Sequence, residues 1–246
     1  MAPIIHLVRH AEGLHNLGQE FWSLMDPPLT DKGRHQCLQL QRDFVSHSRI
    51  DLVVSSPLCR AIYSAVQAFR PDKLTLLPDL QEISDFPCDI GREVESLKNE
   101  LKDLEASVDY SYVDDLWTSK EGRYTPNIQA IQERARAVRC WLNTREEKEI
   151  VVVSHGAFLH FLTEDWEDSY IEEATGWKNA EYRTYNLQPK SCADDASMIE
   201  TNESRQRRAK LEPRATSEEQ LELHVKALHI WEQQGYLFSA KNRDSC

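Results

Sequence analysis

A chain of 246 residues is long enough to bury a sizeable core, as one large α/β domain or two small ones. Its formal net charge of -12 disfavours nucleic acid and anionic membrane surfaces as partners, and no apolar run approaches the roughly 20 residues of a membrane span. Six cysteines (37, 59, 88, 140, 192 and 246) occur without a C-x-x-C pair, which argues for reduced thiols in a cytoplasmic setting and against a disulfide framework or a zinc site.

In chain order, Ile4 to Val8 reads as a short buried strand that begins too close to Pro3 to leave room for a secretory leader. "PPLTDKGRHQCLQLQRDFVSH" predicts a turn and then a helix, capped by Thr30 or Asp31, with Leu38, Leu40, Phe44 and Val45 as buried positions. "IDLVVSS" is a second strand, and "PLCRAIYSAVQAF" follows as a helix with Pro57 in its first turn. "KLTLLPDL" is a third strand ended by Pro78. Residues 95–106 and 127–147 read as helices, "EIVVVSHG" as a strand, "AFLHFL" as the start of a helix, and "AEYRTYNLQ" as a strand. The polar segment of about 189–217 predicts a mobile linker or loop, and its "RQRRAK" run reads as solvated, with a nuclear signal as the alternative. Residues 217–234, with Leu221, Leu223, Val225, Leu228 and Trp231, predict a terminal helix.

Strands alternating with helices predict a mostly parallel sheet covered on both faces, with ligands at the carboxyl ends of the strands. Arg9-His10 ends the first strand, Ser55-Ser56 the second with Arg60 one turn on, and Ser154-His155-Gly156 a later one. Leu80-Gln81-Glu82 follows the third strand. Two histidines, two arginines and a glutamate are therefore expected on one edge. Screening limits fields to about 8 Å at physiological salt, so such a cluster can bind a small anion despite the acidic chain. Two guanidiniums can grip a phosphoryl group, an imidazole can attack phosphorus, and a carboxyl group can pass protons. That set suffices for phosphoryl transfer through a phosphohistidine, with no metal and no cofactor. The nucleotide P-loop, the dinucleotide G-x-G-x-x-G, the G-x-S-x-G elbow and H-E-x-x-H are all absent, and no cysteine stands six positions before an arginine.

"LVRHAEGLHN", "DPPLTDKGRHQC", "VVSSPLCRAIYSA", "LQEIS" and "VVVSHG" resemble the histidine phosphatase superfamily, in its phosphoglycerate-mutase-like branch, in order and at compatible spacings from residue 4 to about 162. "RHAEGLHN" and "DPPLTDKG" look most like small phosphatase-like members from fungi and plants. The resemblance implies a three-layer α/β/α sandwich with a helical cap insertion at about 83–126, in a single domain of residues 1–246. It implies His10 as nucleophile, Arg9 and Arg60 as phosphoryl ligands, His155 as a further donor, Glu82 as the acid and then the base, and Asn16 in the phosphate pocket. His15 is expected to shape that pocket. Ala11 replaces the family's usual glycine, a change that a negative φ would tolerate.

The implied activity is hydrolysis of a small phosphomonoester. Two alternatives are a phosphoglycerate-type mutase and a catalytically silent member acting as a binding module. Mutases carry an R-H-Y-G-like stretch after the glutamate, whereas Glu82 precedes "ISDFPCDIGREVESLKNELKD", an acidic stretch that would repel a second phosphate. A neutral or apolar leaving group is therefore expected, lined by Trp22, Phe86, Trp117 or Tyr124.

Overall fold

The computed structural model describes residues 2–169, 175–188 and 196–237. Among them a seven-stranded sheet runs in the order β4-β3-β2-β5-β1-β6-β7, built from β1 (Ile4–Arg9), β2 (Leu52–Ser55), β3 (Lys73–Leu76), β4 (Ser107–Asp109), β5 (Glu149–Ser154), β6 (Tyr182–Leu187) and β7 (Met198–Glu200). The first five of these neighbours, β4 to β1, are parallel, while β6 is antiparallel to both β1 and β7. The helices are α1 (Asp31–Asp43), α2 (Cys59–Phe69), α3 (Val94–Leu101), α4 (Ile128–Asn143), α5 (Gly156–Thr163), α6 (Asn202–Arg207) and α7 (Ser217–Gln233).

The alternation of side chains along each strand separates two cores. Ile5, Leu7, Val54, Ile150 and Val152 face α4, α5 and the end of α7. Val8, Val53, Leu74, Leu76, Val151 and Val153 face α1, α2 and α3. This is the expected three-layer α/β/α arrangement. No helix among the described residues is long and apolar enough to cross a membrane.

Several expectations need correction. Thr30 does cap α1, accepting from the N–H of Gly33 at 2.9 Å, and Leu40 and Phe44 are buried. Leu38 and Val45, however, are exposed, because the apolar spacing there outruns the buried stripe. Leu221 and Val225 of α7 are likewise exposed. The helix expected over 95–106 ends at Leu101, and β4 follows as an edge strand paired with β3. Residues 83–126 therefore carry both a helix and an extension of the main sheet.

The polar stretch after β6 is not simply a linker. Residues 189–195 lie outside the described residues, but β7 pairs antiparallel with β6 and α6 follows it. The "RQRRAK" run is engaged rather than solvated. Arg205 bonds Glu167 at 3.2 Å, Arg208 pairs with the buried Glu200 at 2.7 Å, and Lys210 pairs with Asp168 at 2.6 Å. Arg207 lies over the Tyr182 ring at 3.9 Å. Apart from Glu200, these partners are distant in sequence, so composition alone misreads the segment. Cys37, Cys59, Cys88 and Cys140 are free thiols, and Cys192 and Cys246 lie outside the described residues.

Candidate active site

The three central strands bring the site together. β1 pairs with β5 so that Arg9 lies opposite Ser154, and β5 pairs with β2 so that Val153 lies opposite Ser55. His10, His155 and Ser56 each follow one of these ends directly. The N–H of His10 donates to the carbonyl of Ser154 at 2.9 Å, carrying the register one residue past the strand. The His10 and His155 rings have centroids 5.0 Å apart, and His15 lies 5.3 Å from His10 on another side. A cavity of about 490 Å³ opens at this edge, lined in part by Arg9, His10, His15, Asn16, Arg60 and Glu82. His155 is fully buried and does not itself line the cavity.

The "RHAEGLHN" and "DPPLTDK" motifs are linked physically. Glu12 accepts from the Thr30 hydroxyl at 2.8 Å and from the Lys32 ammonium at 2.6 Å, joining the turn after β1 to the cap of α1. Ala11 has a negative φ, is fully buried, and donates its N–H to Ser64 Oγ at 2.9 Å. Alanine therefore fits where the family usually has glycine.

His10 has a defined tautomer. Its Nδ1 lies 2.7 Å from the Ala11 carbonyl, an acceptor only, so Nδ1 carries the proton and Nε2 keeps the lone pair. Burial first, then the Arg60 and Arg9 charges, hold His10 well below the usual histidine range. The same causes, burial and then Arg60, hold His15 and His155 low. We expect a histidine-ring ¹⁵N NMR titration to find His10 neutral at pH 6.5 and protonated at Nδ1, since burial disfavours the charged form. Protonation with a midpoint at or above 6.5 would contradict this geometry.

Each charged side chain is held in place. The guanidinium of Arg60 donates to the Cys88 carbonyl and to Asp89 Oδ1, both at 2.6 Å, and Ser84 donates to the other oxygen of Asp89 at 2.5 Å. Arg9 Nη1 donates to the Trp177 carbonyl. Arg9 Nε, Arg60 Nε, His15 Nδ1 and His155 Nδ1 are buried without a protein partner. Buried polar groups normally find partners, so four orphaned nitrogens around one imidazole distinguish this spot from ordinary core. His155 Nε2 lies 2.8 Å from Ser56 Oγ, which fixes the ring. Asn179 Nδ2 donates to the His10 carbonyl and to Asn16 Oδ1, each at 3.2 Å, so Asn16 reaches the site through a partner 163 residues away.

Glu82 is carried by the loop after β3 to the N-terminus of α5. Its Oε1 accepts from Phe158 at 2.9 Å and its Oε2 from Ala157 at 3.2 Å. These N–H groups and the helix dipole favour the carboxylate. Burial, and then the charge of Asp89, act the other way and raise its pKa above the usual value. Gly156 lets Thr175 and Arg9 close on the start of α5, because a Cβ there would stand 1.9 Å from Thr175 Oγ1 and 3.2 Å from Arg9 Nε.

All seven sequence-predicted site residues therefore gather at one place, six on the cavity lining and His155 against the His10 ring. Of the four aromatic residues expected around a leaving group, Trp22 and Phe86 line the cavity. Trp117 and Tyr124 do not: both are buried in the core beside α2 and α3. A Cβ on Gly91 would fall 1.7 Å from the Trp117 ring, so that glycine makes room for it. Sequence reasoning missed Asp89 as the clasp on Arg60, together with Asn179, the Trp177 carbonyl, and the residues that α7 and the chain after it supply to the cavity, Ile230, Trp231, Gln234 and Tyr236. No local motif marks any of them.

A phosphoglycerate mutase-like protein of Arabidopsis thaliana is 31% identical over 205 residues, covering 64% of this chain and 72% of that one. A protein of Schizosaccharomyces pombe named as a probable phosphatase is 28% identical over 168 residues, covering 64% of this chain and 76% of its own. Among solved structures, YhfR of Bacillus stearothermophilus shares the fold with a TM-score of 0.50 at 18% identity, over 81% of this chain and 96% of that one. The model of the histidine phosphatase superfamily (branch 1) matches residues 5–194, and the chain belongs to that superfamily.

Proposed function

We propose that this protein is a phosphatase that hydrolyses a small phosphomonoester through a phosphohistidine on His10. The observation that carries the reading is the His10 imidazole, neutral with its Nε2 lone pair free, ringed by two buried guanidiniums and by orphaned nitrogens. Nε2 attacks phosphorus as the bond to the leaving oxygen breaks. Arg9 and Arg60 neutralise the charge on the non-bridging oxygens, and His155 adds a donor once the phosphoryl group is in place. Asn16 and His15 complete the pocket wall.

Glu82, whose pKa is raised, gives its proton to the leaving oxygen. It then takes a proton from water, whose oxygen attacks phosphorus as the bond from Nε2 to phosphorus breaks, releasing inorganic phosphate. The guanidiniums supply the charge neutralisation that a metal supplies elsewhere.

The test is phosphate release from a panel of phosphorylated metabolites by purified protein in excess chelator. Turnover of one or more monoesters is expected, unaffected by EDTA. A strong preference for bisphosphoglycerate or phytate would contradict the monoester reading. Loss of activity in EDTA, restored by zinc or magnesium, would move the protein to a metallohydrolase class.

A further inference from the structure

The proposed chemistry uses only the floor of the cavity. Away from that floor the wall is largely uncharged and includes Leu17, Trp22, Phe86, Ile230 and Tyr236. Among the described residues, no Lys lines the cavity, and no Arg does apart from Arg9 and Arg60. Asp89 is committed to Arg60 and Ser84. Against the described part of the lining, a leaving group bearing a carboxylate or a second phosphate would thus lose water without meeting a free cation, which is strongly unfavourable.

Trp22, Phe86 and Tyr236 come from three separate segments and form one cluster. Their ring centroids lie 4.9 Å (Trp22–Phe86), 5.4 Å (Trp22–Tyr236) and 5.6 Å (Phe86–Tyr236) apart, tilted or edge-on. All three are half-buried and line the cavity, so they retain surface that a ligand can cover. Tyr236 follows α7 and lies outside the residues 5–194 shared with the superfamily. Its hydroxyl pKa is pushed up by burial and then by the charges of Asp89 and Glu82.

We propose that Trp22, Phe86 and Tyr236 form the leaving-group subsite, and that it selects phosphate monoesters of uncharged alcohols bearing an aromatic ring. The chain after α7 then acts as a specificity wall added to the shared catalytic floor. Flat rings gain both area burial and favourable edge or offset contacts in such a cluster. This inference rests on the phosphoryl group sitting on the Arg9–Arg60 floor, as in the proposed function.

Calorimetric binding of three non-hydrolysable phosphonates to the wild-type protein separates the two ideas, because it requires no turnover. Benzylphosphonate is expected to bind at least about tenfold more tightly than methylphosphonate, and phosphonoacetate no more tightly than methylphosphonate. Trp22→Ala and Tyr236→Ala should each reduce the benzyl advantage to below about threefold, with circular dichroism confirming the fold. Tyr236→Phe should retain the advantage. Phosphonoacetate binding more tightly than benzylphosphonate, or an unchanged advantage in both alanine variants, would overturn the aromatic subsite alone. Failure of all three phosphonates to bind would overturn the phosphoryl floor, and this inference with it.

Discussion

His10→Ala is expected to lower turnover by several orders of magnitude while leaving the protein folded. In the proposed mechanism the substitution removes the nucleophile and with it the covalent route, which the remaining donors cannot replace. The structural cost is small. The ring makes one hydrogen bond, to the Ala11 carbonyl, and though buried it lies on the cavity lining rather than in either hydrophobic core. One net hydrogen bond is worth about 0.5–1.5 kcal/mol, or about 1–6 °C of Tm in a chain of this size. Thermal unfolding of the variant checks that point. For the mechanism, wild-type protein turning over phosphate-labelled substrate should be quenched with alkali, which preserves phosphohistidine. The label is expected on Nε2 of His10, because Nδ1 is engaged with the carbonyl. Label on a cysteine, serine or aspartate would replace the mechanism.

Glu82→Gln is expected to be selective in its damage. A general acid matters in proportion to the leaving group's need for a proton. An ordinary alkoxide needs one badly, and nitrophenolate does not. The glutamine variant should therefore lose most alkyl phosphate cleavage, on the order of 10²-fold to 10⁴-fold, yet keep the pre-steady-state burst of nitrophenol from p-nitrophenyl phosphate. The burst is the right measure because, in the proposed mechanism, the second step also uses Glu82, as base. One structural cost must be controlled. Both carboxylate oxygens accept from α5, so the amide leaves either Ala157 or Phe158 without its acceptor, at about 1–3 kcal/mol. Equal loss of the burst and of alkyl cleavage in a folded variant would remove Glu82 from the acid role. If neither reaction changed, a neighbouring acid such as Asp85 would take its place.

Substitution of either arginine should also be severe, but the two differ in a way that the motifs do not reveal. Arg9 ends a strand and is tied to a backbone carbonyl, whereas Arg60 is clasped by Asp89, itself held by Ser84. Arg60→Ala would therefore also leave a buried carboxylate without its cation. Its loss of activity has to be read beside its loss of stability.

What the sequence by itself determined is local. An apolar run cut short by Arg9-His10, by Ser55-Ser56 or by Ser154-His155 marks a strand and its end, and the parallel α/β rule gathers such ends on one edge. A helix cap at Thr30 or Asp31, and Glu82 just after the third strand, are likewise legible from neighbours in sequence, and the structure selects Thr30 as the cap. What only the tertiary structure decided involves partners far apart in the chain. Ser56 holds His155 across 99 residues, and Asp89 clasps Arg60 across 29. β7 and the engaged Arg205 of α6 depend on β6 and Glu167, so their polar composition reads as a linker. The aromatic residues show the point most clearly. Trp22 and Trp117 are the same residue type in similarly mixed surroundings, but one lines the cavity and the other is sealed against Gly91. Tyr236 reaches the cavity only because α7 packs its Ala227 and Trp231 into the core beside α5. Strand ends are set by neighbours in sequence, whereas the walls of a cavity are set by whichever distant surfaces packing brings together.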